Sequence, residues 1–303
     1  MKILAISGGR AGGNNELLLK AALKEAKAIT GAEVEVIRMK DIQLHFCSGC
    51  ETCMRGLTTG GNGDCVYQDD DLGFLKEHIL EADGFLVTAP VYDMIPSGAM
   101  VNLVNRALGV GKDFQQACRS NPKVGAVISI GGSDWIDFTE PIVNLILCNL
   151  SKSAQVVDRL IAGHNTAPGM VGCREDLMER AKLLGRRVGE ALLKRERGES
   201  FGYEGDEGIC PVCHISLLEM TGGSKVRCPY CAATGELAME NGKIRIRWAD
   251  DIMEHNRFTV WGENDHRGEI GASHKLAAEN KDRIREKAKE LEDFGGIFIK
   301  PER

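Results

Sequence analysis

Along the first two-thirds of the chain, short apolar runs rich in branched residues alternate with longer stretches whose apolar positions recur at helical spacing. The runs at residues 2–6, 33–38, 84–88, 124–130 and 154–160 predict strands. Residues 14–28, 70–82, 97–108 and 137–150 predict the helices between them, and residues 174–197 a closing helix. Repeated strand–helix–strand units make strands parallel and place their crossover helices on the sheet faces. Residues 1–197 are therefore expected to form an α/β domain, a doubly wound five-stranded parallel sheet. Gly198, Gly202, Gly205 and Gly208, set among charged residues, mark 198–208 as a linker. Residues 209–248 end in an alternating strand after an Asn241-Gly242 turn. That piece is too small to bury a core without a staple. Residues 249–303 are charged, with one solvent-facing helix expected over 276–294 and Gly295-Gly296 as its stop.

Composition narrows the class. The 303 residues carry 38 Lys and Arg against 44 Asp and Glu, a formal charge of −6, with 43% apolar and 27% charged residues. A disordered chain, a collagen-like repeat and a generally basic nucleic-acid binder are excluded by that balance. No apolar run approaches the ~20 residues of a membrane span. The first apolar stretch is shorter than a secretory core and runs into Gly8 and Gly9, so a cytoplasmic protein with no membrane partner is expected. Eleven cysteines are many for that compartment, and eight fall into two clusters. Cys118, Cys148 and Cys173 stand apart and read as small apolar filler.

Candidate chemistry sits in the loops after the strands. The first strand leads into Ser7-Gly8-Gly9-Arg10-Ala11-Gly12-Gly13-Asn14-Asn15 and then a helix. A glycine-rich turn entering a helix offers backbone N–H groups and the positive end of the dipole, which suits a phosphate. Ser7, Asn14 and Asn15 add side-chain donors and Arg10 adds charge. The spacing fits neither a dinucleotide fingerprint nor a Walker A loop. Two later loops, around Pro90-Val91-Tyr92-Asp93 and Gly131-Gly132-Ser133-Asp134-Trp135, also lie at strand ends, where open α/β sheets bind ligands. Their proline and glycines suit close main-chain approach to a flat flavin ring.

The first cysteine cluster, Cys47-x2-Cys50-x2-Cys53 followed by Cys65, has the close spacing of iron–sulfur runs. A zinc site or redox-active thiols are the alternatives. The second, Cys210-x2-Cys213 and Cys228-x2-Cys231, has two-knuckle spacing for a tetrahedral zinc, or for a rubredoxin-type iron. His214, beside Cys213, is expected at the surface.

Taken together, the first loop through Leu18, the Cys47–Cys50–Cys53 triplet leading to Asp69-Asp70, Pro90-Val91-Tyr92 and Asn105-Arg106 resemble the iron–sulfur flavoprotein branch of the NADPH-dependent FMN reductase superfamily. The resemblance covers residues 1 to about 195. It implies a flavodoxin-like fold, FMN with its phosphate on Ser7, Arg10, Gly13, Asn14 and Asn15, and flavin neighbours at Pro90, Val91, Tyr92, Asp93, Gly131 and Gly132. It also implies a [4Fe–4S] cluster on the compact cysteines, with Cys65 the expected fourth ligand, and a homo-oligomer. The chain departs from the family in lacking the first loop's proline, in Asn15 where Ser or Thr is common, in its long gap from Cys53 to Cys65, and in Asp93 where an aromatic residue is frequent. The appended cysteine unit and tail also lie outside the family pattern. The expected function is an oxidoreductase moving electrons between NAD(P)H or a one-electron donor and a small-molecule or protein acceptor. The rivals are a non-enzymatic electron carrier or redox-sensing adaptor, and an FMN-only quinone or flavin reductase with a structural zinc.

Overall fold

A computed structural model describes residues 1–206, 209–293, 295–297 and 299. Gly208 of the expected linker and Phe294 of the expected tail helix lie outside the described residues. Two compact units divide the chain, Met1–Thr259 and Val260–Arg303.

The first unit is built on β1 (Lys2–Ser7), β2 (Glu33–Arg38), β3 (Gly84–Pro90), β4 (Val124–Ile130) and β5 (Gln155–Ala162), all parallel in the order β2-β1-β3-β4-β5. This is the flavodoxin-like order, with the reversal of strand order beside β1. Alternation along the strands makes the layers. Leu4, Ile6, Phe85, Val87 and Val127 are buried on one face, Ile3, Ala5, Leu86, Ala126 and Ile128 on the other. The first face is covered by α3 (Leu72–Glu81), α4 (Gly98–Arg106), α5 (Lys112–Ser120) and α6 (Thr139–Leu150), the second by α1 (Asn14–Thr30) and α7 (Glu175–Glu196). Helices α1 and α7 pack closely because Gly185 has no Cβ, which would stand 2.1 Å from the Ala22 carbonyl oxygen.

A short helix, α2 (Thr52–Thr58), lies inside the cysteine loop. Neither α2 nor α5 was expected from periodicity: α2 buries no residue, and α5 buries only Phe114 and Cys118, too thin an apolar stripe to read.

Residues 209–248 carry an antiparallel meander, β6 (Glu219–Gly222), β7 (Lys225–Arg227), β8 (Thr234–Glu240) and β9 (Lys243–Trp248). Asn241 and Gly242 both have positive φ, 51° and 74°, as the two-residue hairpin between β8 and β9 requires. The meander belongs to the same compact unit as the parallel sheet.

The second unit holds two helices where one was expected, α8 (Val260–Glu279) and α9 (Lys281–Glu290). The break is Asn280, whose backbone leaves the helical region at ψ 22° while its side chain donates back to the Leu276 carbonyl. Among the described residues, no helix is long and apolar enough to cross a membrane.

Candidate functional site

The loops leaving β1, β3, β4 and β5 surround a cavity of about 420 Å³. Arg10, Gly13, Asn14 and Asn15 line one part of it, and Pro90, Val91, Tyr92, Gly131 and Gly132 another. Nine of the eleven residues expected at a cofactor are thus brought together. Ser7 and Asp93 are not among the lining residues: Ser7 is buried behind the first loop, and Asp93 is exposed.

Local bonding separates the residues that shape the first loop from those free to bind. Ser7 Oγ accepts the Gly9 N–H and faces the Asn15 amide at 3.4 Å, while Thr88 Oγ1 donates to Asn15 Oδ1 at 2.6 Å. Asn14 donates to the carbonyls of Asn165 and Ala167 and accepts the Val171 N–H. The three polar side chains expected on a phosphate therefore tie the loop to β3 and to the segment after β5. Gly13 caps α1 without a side-chain bond, so the first-turn amides of Asn14, Asn15 and Glu16 have no partner within the helix. Those amides, the second N–H of the Asn15 amide and the exposed Arg10 are the donors left for an anion. Glu16 shapes the same loop: its buried carboxylate bonds Arg38, the Gly12 N–H and Lys20, and the Arg38 bond foremost holds its pKa down to about 2.

Three lining residues, Asn165, Thr166 and Pro168, come from the segment after β5 and were not expected. The available signal was their position at a fifth strand end. Tyr92 and Trp135 line the cavity while remaining 67% and 66% exposed, so they form an aromatic rim.

The first cysteine cluster occupies a separate recess. Cys47, Cys50, Cys53 and Cys65 all line it, with Tyr67, Asn105 and Arg106. Asn102 accepts the Cys47 N–H at 3.2 Å and donates to the His45 carbonyl at 3.1 Å. One helical turn later, the buried Arg106 forks onto Asp70 and also donates to the carbonyls of His45 and Tyr67. Helix α4 thereby fixes both strands of the cysteine loop. On the far side, Cys65 donates its N–H to the Gly109 carbonyl at 2.9 Å. Gly109 is required there, since a Cβ would stand 2.6 Å from that of Cys65. Hydrogen bonds from the Thr52 side chain first, then from the Thr52 N–H and Ser48, pull the Cys50 thiol down to about 7, whereas burial pushes Cys53 up.

In the meander, Cys210 and Cys231 bring their sulfurs to 3.4 Å, Cys213 and Cys228 to 3.5 Å, and all four are buried within 4.8 Å of one another. Metal–sulfur bonds near 2.3 Å in a tetrahedron set sulfurs roughly 3.8 Å apart, so this group fits one tetrahedral ion. Among the described residues no other cysteine set comes together so tightly. His214 lies inside instead of at the surface: it stacks on Tyr203 at 4.1 Å, and burial pushes its pKa down to about 4.

A flavodoxin-like sheet whose strand-end loops join an anion-binding turn to a cavity with an aromatic rim defines a flavin-binding α/β protein. The sequence profile described as NADPH-dependent FMN reductase matches residues 1–136. An iron–sulfur flavoprotein of Archaeoglobus fulgidus is 30% identical over 201 residues, covering 66% of this chain and 84% of the relative. Flavone synthase cfoJ of Aspergillus candidus is 29% identical over 267 residues, 81% of each chain. A solved structure described as a flavone reductase superposes with a TM-score of 0.75 at 24% identity over 100% of both chains, a likeness of fold that runs the full length. The chain belongs to the iron–sulfur flavoprotein branch of the NADPH-dependent FMN reductase superfamily. It is a flavin-dependent oxidoreductase.

Proposed function

We propose that this oxidoreductase holds FMN in the strand-end cavity, a [4Fe–4S] cluster on Cys47, Cys50, Cys53 and Cys65, and zinc on Cys210, Cys213, Cys228 and Cys231, and that it acts on a flat conjugated organic molecule. The observation that carries the reading is the single cavity that unites the anion-binding turn with the loops after β3 and β4. When bound, FMN supplies exchange between two-electron and one-electron chemistry, and the cluster supplies single electrons.

The chain's own residues do the positioning. Arg10 and the first-turn amides of α1 take the phosphate, and the backbone of Pro90–Val91 and Gly131–Gly132 borders the ring. Tyr92 and Trp135 provide flat apolar faces for a planar substrate to stack on. The names of two relatives, a flavone synthase and a flavone reductase, support a conjugated aromatic carbonyl compound as substrate class. The electron donor is NAD(P)H or a one-electron redox protein.

For the cluster, the first four cysteines line one recess without gathering as tightly as the second set, which suits several irons better than one ion. Arg106 Nε is buried without a partner on the wall it shares with Cys65, a donor that an anionic cluster satisfies. For the second site, the buried, tightly grouped thiols suit a structural zinc.

The first experiment is iron, sulfide, zinc and flavin analysis of anaerobically purified protein, with about 4 iron, 1 zinc and 1 FMN per chain expected. Cys50→Ala is expected to lose most of the iron and sulfide while retaining zinc and FMN; unchanged iron would remove these cysteines as ligands. Arg10→Ala is expected to weaken FMN roughly tenfold to a hundredfold while leaving riboflavin affinity unchanged, as read by flavin fluorescence, because hydrogen bonds to a charged group contribute about 1.5–3 kcal/mol. Equal losses for both flavins would place Arg10 away from the phosphate. Turnover of a flavone-type substrate under anaerobic conditions distinguishes an enzyme from an electron carrier, and FMN with zinc but no iron would instead indicate the simpler flavin reductase.

A further inference from the structure

We propose that Asn165 is a flavin-binding residue whose side-chain oxygen accepts a hydrogen bond from the flavin, either from a ribityl hydroxyl or from the ring imide N–H. The proposal rests on the flavin reading of the cavity and adds to it a specific acceptor from the segment after β5.

Asn165 is 4% exposed and lines the cavity. Its amide nitrogen donates to the Gly163 carbonyl, an assignment that only one orientation of the amide allows, because an oxygen placed there would face another oxygen. The opposite atom, Oδ1, is buried and has no partner. Among the described residues lining this cavity, Asn165 alone carries such an atom. A buried acceptor left unpaired is unfavourable, so a donor arriving with the ligand is the natural complement.

The main chain around it is held on both sides. The Asn165 N–H donates to the Gly131 carbonyl at 3.0 Å, and its carbonyl accepts from Asn14 at 2.8 Å. Asn165 thus bridges the glycine loop after β4 and the start of α1, the two segments expected to grip the ring and the phosphate. The acceptor is therefore fixed before the ligand binds. Anionic groups are poor candidates for this position because Oδ1 offers no proton. The two donor-bearing parts of a flavin, its ribityl chain and its imide, are the matching chemistry.

The test is titration of flavin-free full-length protein with riboflavin, lumiflavin and 3-methyllumiflavin, following fluorescence, for wild type and Asn165→Ala. If the ring imide is the donor, wild type should prefer lumiflavin over its 3-methyl form about tenfold, the scale of one hydrogen bond, and Asn165→Ala should erase that preference. If a ribityl hydroxyl is the donor, the variant should bind riboflavin about tenfold more weakly while lumiflavin affinity stays at the wild-type value. Wild-type affinity for every ligand, or an equal loss for all three, would overturn the proposal, the second result meaning that Asn165 only braces the loops. Thermal melting of the flavin-free variant checks that it is folded. Failure of the underlying flavin reading looks different, since wild-type protein would then bind none of the three.

Discussion

Arg106→Met is expected to lower the stability of the flavodoxin-like unit by about 3–5 kcal/mol and, on the proposed cluster reading, to strip iron from the first cysteine set. Arg106 is 1% exposed as a residue, and its guanidinium meets Asp70, whose side chain is only 4% exposed. Removing one partner of such a pair leaves the other as an unpaired buried charge, which is worse than losing the pair itself. In the native protein burial pushes Asp70 up, but the Arg106 fork and the N–H groups of His45 and Leu72 outweigh it, so its pKa lies below the usual value. A carboxyl with a lowered folded pKa stabilises the fold above its unfolded pKa and loses that contribution as the pH falls through the folded value. In Arg106→Met the guanidinium is gone and burial is opposed only by the N–H groups of His45 and Leu72, so the Asp70 pKa moves upward. The variant's deficit should therefore be largest near neutral pH and shrink toward acid as Asp70 takes up a proton. Urea unfolding at several pH values reads this directly. Asp70→Asn combined with Arg106→Met should recover part of the loss, and a deficit independent of pH would show that Asp70 is not the charge left exposed by the substitution. Iron should fall in parallel, since the same guanidinium holds the carbonyls of His45 and Tyr67 on either side of the cysteines.

The legible parts of the molecule are those where one physical demand dominates a stretch of sequence. Strands buried on both faces must be apolar throughout, so β1, β3 and β4 stand out as continuous runs, and the helices that cover them show their stripes. The cysteine knuckles are legible because metal geometry fixes their spacing. What escaped was set by tertiary partners. Ser7, Asn14 and Asn15 read as ligands by residue type, but that their hydrogen bonds also brace the first loop, and that backbone amides any sequence possesses add donors there, is set by partners far along the chain. Arg106 reads as part of a family motif, but its work on both sides of the cysteine loop depends on groups 36 to 61 positions away. His214, polar and next to a knuckle, is buried with Tyr203, returning from the linker, stacked on it. Asn165, in an unremarkable Gly-His-Asn-Thr segment, acquires its role from the strand end it occupies.

Loss of the second metal should reach beyond the meander. On the zinc reading proposed above, Cys213→Ser is expected to release the metal, lower the melting midpoint of the whole compact unit and weaken flavin retention. Among the described residues, the hydrophobic cluster around those thiols has Ile215, Ala233 and Ile252 as its other buried members, with partly buried side chains such as Trp248 and Phe258 packed against it, a small core for such a piece. Thiolate coordination of zinc contributes on the order of 10–16 kcal/mol in small metal-dependent domains, enough to decide whether this piece folds. The folded meander in turn holds α6. The Cys213 carbonyl accepts from Asn144 at 2.8 Å, and Ser216 donates to Glu140, which also pairs with Arg159 on β5. At the start of α6, Thr139 donates to the Met94 carbonyl at 3.0 Å, fixing the loop that carries Val91 and Tyr92 into the cavity. Releasing the metal thus frees Asn144 and Glu140 first and the aromatic loop next. Metal analysis, thermal melting and flavin content of the variant test each link in turn. A variant without zinc that melts and holds flavin as wild type does would show that the meander folds on its packing alone and that α6 needs no brace from it.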